Sequence, residues 1–395
     1  MSTHWKTGKL SDLVVFQRGF DITKAEQING NIPIISSSGI TSFHNKAKQT
    51  GPAVIIGRKG TLGSVHYYHK EYWPHDTTLW SKELKGDPKF IYYFLKTMKL
   101  EQYDVGNANP TLNRNHIHKL NVPIPPLSTQ QKIAHILSAY DDLIENNLKR
   151  IKLLEEMAQI TYEEWFVRMK FPGHEQVVID SETGLPEGWV NTEIREFGQV
   201  ITGKTPPTNI EEYYGNDVLF IKTPDMAKAP YVLDTELKLS AKGADTQKGK
   251  YLPKNSLLVS CIGSAGVVAL TSVSSQLNQQ INAVVFDREF DAFFLYGFAK
   301  HLKPVLEALG SNGATMTNVN KSKFERIKVI TPTDTLLNDF GLKVAPNFSI
   351  LEKLLQQNQR LKEARDILLP RLMTGMIDVN TLDLPKPLES KKEVA

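Results

Sequence analysis

The chain repeats itself, and this repetition limits the folds open to it more than any single motif does. VVFQRGFDITK at 14–24 has a counterpart in FGQVITGKTPPT at 197–208, with Trp5 and Trp189 standing at matching distances upstream. AVIIGRKGTLGSV (53–65) resembles SLLVSCIGSAGVV (256–268), which sets Gly60 over Gly263 and Gly63 over Gly266. PTLNRNHIHKLNVPIP (110–125) answers TNVNKSKFERIKVITP (317–332), so that Leu112, Asn113, Leu120 and Pro125 meet Val319, Asn320, Ile327 and Pro332. The spacing between matched positions drifts slightly, as it does between diverged copies whose loops differ in length. A tandem duplication calls for two similar globular halves, and 395 residues suffice for two cores.

Each half closes on a long heptad pattern. In 129–166 one series falls on Leu137, Ile144, Ile151, Ala158 and Trp165, another on Ile133, Tyr140, Asn147, Leu154 and Thr161. Alternating steps of three and four mark a coiled-coil seam rather than the broad stripe of a helix lying on a sheet. Leu354, Leu361 and Leu368, with Ile350, Gln357 and Ala364, repeat it in the second half. A helix of roughly 37 residues extends about 55 Å and needs a partner along its length. The other copy is the nearest one. Antiparallel pairing with pseudo-two-fold symmetry sets Asn147 against Gln357 near the centre. Gly341 and Pro346 leave the start of the second helix open between 333 and Asn347.

Between these patterns lie short β-branched or aromatic runs that end at Gly, Pro or Asn: IPIISSSG, PAVIIGRKGTLGSVHYY and TTLWSKEL in the first half, VLFIKTPD, SLLVSCIGSAGVVAL and INAVVFD in the second. Helical stretches follow at 89–98 and 293–309. Each half is therefore expected to be a mixed α/β unit dominated by irregular sheet. A net charge of +4 permits nucleic acid without demanding it. The single Cys261 excludes an internal disulfide framework and a cysteine zinc cluster, and fits a reducing cytoplasm. No apolar run reaches the length of a membrane span, and the polar start is no signal peptide.

Two β-rich halves, each centred on a strand followed by G-x-x-G and closed by a proline-ended segment before a long helix, resemble specificity subunits of type I restriction-modification systems. LNRNHIHKLNVPIPPLSTQQKIAHIL (112–137) and ARDILLPRLMTGMIDV (364–379) resemble the family's junction and closing helix most closely. The resemblance implies target recognition domains at 1–127 and 172–332, long spacer and docking helices at 128–171 and 333–378, and a flexible tail at 379–395. It further implies that each domain reads one part of a bipartite double-stranded DNA target. Partner methyltransferase subunits, two of them, and restriction subunits would supply catalysis together with S-adenosylmethionine, ATP and Mg²⁺. No cofactor or metal is expected on this chain.

Candidate DNA contacts follow from residue type. Arg58, Lys59 and Thr61 lie in the glycine-flanked turn GRKGTLG, whose second-half counterpart carries Ser264. A solvated hairpin is the competing reading. Asn107, Asn109, Thr111, Asn113, Arg114 and His116 form an amide-rich run answered by Asn312, Thr315, Asn318, Asn320 and Lys321. Amides pair with adenine and cations with guanine, although turns select Asn as well. Gln279 and Gln280, beside Asn282, form a third polar set, opposite His75, Asp76 and Thr77. Asp225, Glu236 and Lys238 fit the loose pattern of a Mg²⁺-dependent nuclease, and a helical scaffold that reads no DNA is a further alternative. Neither Pro-Pro pair sits in the tetrapeptide of an amino-methyltransferase.

Overall fold

The computed structural model describes residues 5–104, 110–288, 290–310 and 317–382. The chain divides into two compact units, Met1–Glu145 with Arg360–Ala395, and Asn146–Gln359. Each contains one globular copy of the repeat and a portion of both long helices.

In the first unit an antiparallel ribbon pairs Lys6–Lys9 with Asn121–Ile124, tying the start of the repeat to its end. The central sheet runs Val14–Arg18, Thr78–Leu84, Ala53–Gly57, Val65–Tyr68, every neighbour antiparallel. A second sheet sets Ile32–Ser36 between Gly39–His44 and a parallel neighbour, Glu71–Pro74. The helix Pro88–Thr97 opens on Pro88 and is capped by the Asp87 carboxylate, which accepts from the Phe90 N–H at 2.8 Å. Its buried Phe90, Ile91 and Phe94 join Val14, Phe16, Val54, Ile133, Leu137, Leu372 and Met373 in one core.

The second unit is built on the same plan. Val190–Glu193 pairs with Lys328–Thr331. Its central sheet runs Gly198–Thr202, Ile281–Phe286, Leu257–Ser260, Val268–Thr271, and adds Tyr231–Val232 at the far edge. Tyr214–Ile221 lies between Lys238–Leu239 and the parallel Ser275–Leu277. Registers agree in detail. Gly57 faces Thr78 as Ser260 faces Ile281, and the Leu10 N–H bonds to Leu120 O as that of Ile194 bonds to Ile327 O.

The long helices span Leu127–Tyr162, continued by a π-helical turn Glu163–Val167, and Asp334–Met373. The second starts early. Thr333 caps it, and Gly341 and Pro346 lie inside the helix. A Cβ on Gly341 would come within 2.3 Å of the Phe290 side chain, so glycine here permits close packing. Pro346 is exposed, and the hydrogen bond it forgoes faces solvent.

Within the second unit Asn147, fully buried, donates to Gln357 Oε1 and Asn358 Oδ1, both at 2.9 Å. Within the first, Asp141 accepts from Arg365 and from the Tyr93 hydroxyl at 2.6 Å. In each unit the segments run antiparallel. Leu137, Ile144 and Ile151 are buried, and Leu154, Leu361 and Leu368 are half-buried. Two expected seam positions move by one residue: Gln357 is exposed and Asn358 is 3% exposed, and the same shift occurs a heptad earlier. Ile350 is 41% exposed, and Leu351, 1% exposed, takes the inward place. The buried line is Leu337, Val344, Leu351 and Asn358, alongside Phe340 and Leu354. Its first members pack into the globular core, and that contact sets the rotation of the helix where the adjacent Ile350 and Leu351 offer two choices.

Candidate nucleic-acid interface

Both units close their central sheet with one turn. In the first, the Gly57 N–H bonds to Ser64 O at 2.8 Å and that of Gly63 to Gly57 O at 2.9 Å. In the second, Ser260 bonds to Val267 O and Gly266 to Ser260 O, both at 2.9 Å. Gly60, Gly63, Gly263 and Gly266 have φ of +74°, +74°, +77° and +86°, the left-handed region that side chains resist. Beside the turn, the N–H groups of Arg58 and Lys59 donate to Thr77 O at 2.8 and 3.1 Å, and Leu112 donates to Arg58 O at 3.0 Å. The N–H groups of Cys261 and Ile262 donate to Gln280 O at 2.8 and 3.3 Å, and Val319 donates to Cys261 O at 3.0 Å. Arg58 and Cys261 thus occupy one backbone position.

The side chains on that frame differ. In the first unit Gln17, Arg18, Arg58, Leu79, Thr111, Asn113 and Arg114 line a cleft of about 350 Å³. Arg18 pairs with Asp76 at 2.8 Å, and His75 lies 3.2 Å from the same carboxylate. Burial, and then the Arg18 charge, draw the Arg58 pKa below the usual arginine range, against the opposing pull of Asp76. Arg58 Nη1 is shielded from solvent and has no hydrogen-bond partner among the described residues. Asp21, His75 and Asp76 bring ligand atoms within 4.8 Å of one another, but Asp76 is already engaged by Arg18.

In the second unit Thr202 stands where Arg18 does and donates to Asn282 Oδ1 at 2.5 Å, while the buried Asn282 amide donates to Val319 O at 3.3 Å. Burial pushes the Cys261 thiol up to about 11, leaving a packing residue. The places of Arg18 and Arg58 are thus neutral, and uncharged polar groups lie beside them. Gln279 is exposed and accepts from Thr205 Oγ1 at 2.7 Å, Gln280 accepts from the Asn278 amide at 3.1 Å, and Ser264 is exposed at the turn.

The remaining candidates have definite places. Lys59 and Thr61 are exposed on the first turn. Asn113 and Asn320 cap the short helices Arg114–Ile117 and Lys321–Glu325, accepting from the N–H groups of Asn115 at 2.9 Å and Lys323 at 3.0 Å. Arg114 and His116 are exposed, Lys321 pairs with Glu325 at 3.3 Å, and Asn318 is exposed on a two-residue strand against Ile262. Thr111 donates its N–H to Asp104 at 2.6 Å. Asn107, Asn109, Asn312 and Thr315 lie outside the described residues. Gln17 and Arg18 were not evident from sequence. They reach the cleft only because Val14–Arg18 pairs with Thr78–Leu84, a contact between distant segments.

The nuclease constellation does not assemble. Asp225, 4% exposed, caps a helical turn by accepting from the Lys222 N–H, and also takes Lys228 and the Glu236 N–H. Glu236 is exposed, and Lys238 pairs with Asp234 at 2.8 Å. No helix among the described residues is long and apolar enough to cross a membrane.

Residues 3–156 and 186–336 match the family model for the type I restriction modification DNA specificity domain. The type I restriction enzyme HindI specificity subunit of Haemophilus influenzae is 33% identical, the match covering 73% of this chain and 77% of the relative. A putative MjaX specificity subunit of Methanocaldococcus jannaschii is 24% identical, with 92% and 88% covered. The crystal structure of a type I S subunit from M. genitalium shares the fold at a TM-score of 0.64 and 16% identity, covering 94% of this chain and 96% of its own. The duplicated frame and these matches agree: the chain belongs to the specificity subunits of type I restriction-modification systems, non-catalytic components that serve DNA sequence recognition.

Proposed function

We propose that the chain reads a bipartite double-stranded DNA target, one part with each globular copy of the repeat, and directs partner methyltransferase and restriction subunits to it. The observation that carries this reading is the shared frame, in which Arg58 and Cys261 have the same main-chain partners while the polar side chains around them differ. Such a frame positions reading residues and leaves their chemistry free to change. The first reader uses Arg58, Lys59, Thr61, Asn113, Arg114 and His116. The second uses Ser264, Gln279, Gln280, Asn318, Asn320 and Lys321. The long helices set the unread spacer and dock two methyltransferase subunits in the cytoplasm. S-adenosylmethionine, ATP and Mg²⁺ act on those partners.

The test compares Arg58→Ala with Gln279→Ala, each assembled with the partner subunits, by single-molecule methylation sequencing. Each variant is expected to alter one half-site only. Change in both halves from either substitution, or in neither from both, overturns the division.

A further inference from the structure

Resting on the DNA-reading assignment, we propose that the first unit holds a guanine of the target through the Arg58 guanidinium, and that the second unit, on the same frame, makes no such contact. The Arg58 main chain is fixed from two directions, by its N–H to Thr77 O at 2.8 Å and its carbonyl to Leu112 N at 3.0 Å, so the side chain projects from a rigid base. Its Nη1 is shielded and lacks an acceptor among the described residues, an unfavourable state that an arriving acceptor relieves. The neighbouring carboxylate, Asp76, is engaged by Arg18 at 2.8 Å.

What fits is a planar group with two adjacent acceptors and no donor. The major-groove edge of guanine presents O6 and N7 in that arrangement. Adenine would set its N6 donor against the fork, and thymine offers one acceptor beside a methyl group. A phosphate has suitable oxygens, but Lys59 and Arg114 are exposed for backbone contact whereas Arg58 is half-buried in the wall of the cleft. At the matching position Cys261 is buried and has no fork to offer.

The test uses the full chain assembled with its methyltransferase partners. The half-site altered by Gln279→Ala is assigned to the second unit, and the other to the first. Guanines of the mapped target are then replaced one at a time by 7-deazaguanine, which lacks the N7 acceptor. One replacement in the first unit's half-site is expected to weaken binding about tenfold. Arg58→Met, which keeps the stem and removes every donor, should abolish that sensitivity and relax base choice at the same position. A first half-site that requires no G·C pair, or a 7-deazaguanine effect unchanged in Arg58→Met, overturns the guanine assignment while leaving the reading of split DNA standing. Uniform loss of affinity for all sequences in Arg58→Ala, with a shallower salt dependence, identifies a phosphate contact and also overturns it. Absence of sequence preference in either half for the wild-type complex removes the DNA reading itself.

Discussion

Arg58 in the first unit and Cys261 in the second share their main-chain hydrogen bonds, yet one lines an open cleft beside two other arginines and the other is sealed in the core. The difference teaches that the repeat preserves a scaffold and exchanges what the scaffold presents. Left-handed glycines, the closing ribbon and the strand order are common to both copies. Charge is shared at one place only: Arg114 is matched by Lys321, whereas Arg18 and Arg58 give way to Thr202 and Cys261.

The sharpest challenge to a common scaffold is at its glycines. Gly266→Ala should cost about 3 kcal/mol, because a Cβ there adds a 2.6 Å approach to the Lys303 side chain to the strain of its positive φ. Gly60→Ala, with only Ser37 Oγ at 3.2 Å, should cost about 1 kcal/mol. Chemical denaturation of the two variants checks the ordering, and equal losses would break it.

The helix segments differ in how they are clasped. The first unit uses Asp141 with Arg365, the second the Asn147, Gln357 and Asn358 amides. Asn147→Ala should destabilise by about 2 kcal/mol, since it strips a buried donor from two acceptors. Asn147→Leu with Asn358→Leu should cost less than Asn147→Ala, since it removes the buried acceptor along with its donor. A large loss in the double variant would show that the polar layer contributes net stability.

Tyr93 in the first unit and Tyr296 in the second each lie on a helix beside the sheets and bond to carboxylates of the first long helix, Asp141 at 2.6 Å and Glu155 at 2.7 Å. Tyr93→Phe and Tyr296→Phe should each cost about 1–2 kcal/mol, measured by thermal unfolding. Unequal losses would show that the two units hold this helix with different strength.

The smallest effect is one of pH. His118 Nε2 accepts the Phe16 N–H at 2.9 Å, and burial, followed by the charges of Arg114 and Lys85, lowers its pKa. Because the folded value lies below the unfolded one of about 6.5, stability is full above that pH and declines as pH falls through the folded value. The matching residue in the second unit is Glu325, so hydrogen exchange should show this loss in the first unit only.

Much of this scaffold is legible in the sequence, because glycine pairs and heptads encode backbone geometry directly. Gly60 and Gly63 align with Gly263 and Gly266 for the same reason that all four adopt positive φ. Asn147 and Gln357 could be matched by their shared place in the repeat, whereas Asn358, the second acceptor, could not. Periodicity alone does not separate Ile350 from Leu351, since neighbouring apolar residues satisfy the pattern equally and the packed core makes the choice. The cleft was less legible still. Arg18 reaches it through a strand pairing between distant segments, and Asn282, grouped in sequence with two glutamines, turns its amide into the core toward Val319.

The central claim, one scaffold presenting two readers, is tested most directly by single-molecule methylation sequencing of cells carrying this chain with its partner subunits. The expected result is one motif with two specified segments separated by an unread spacer of fixed length. A single uninterrupted motif would contradict it.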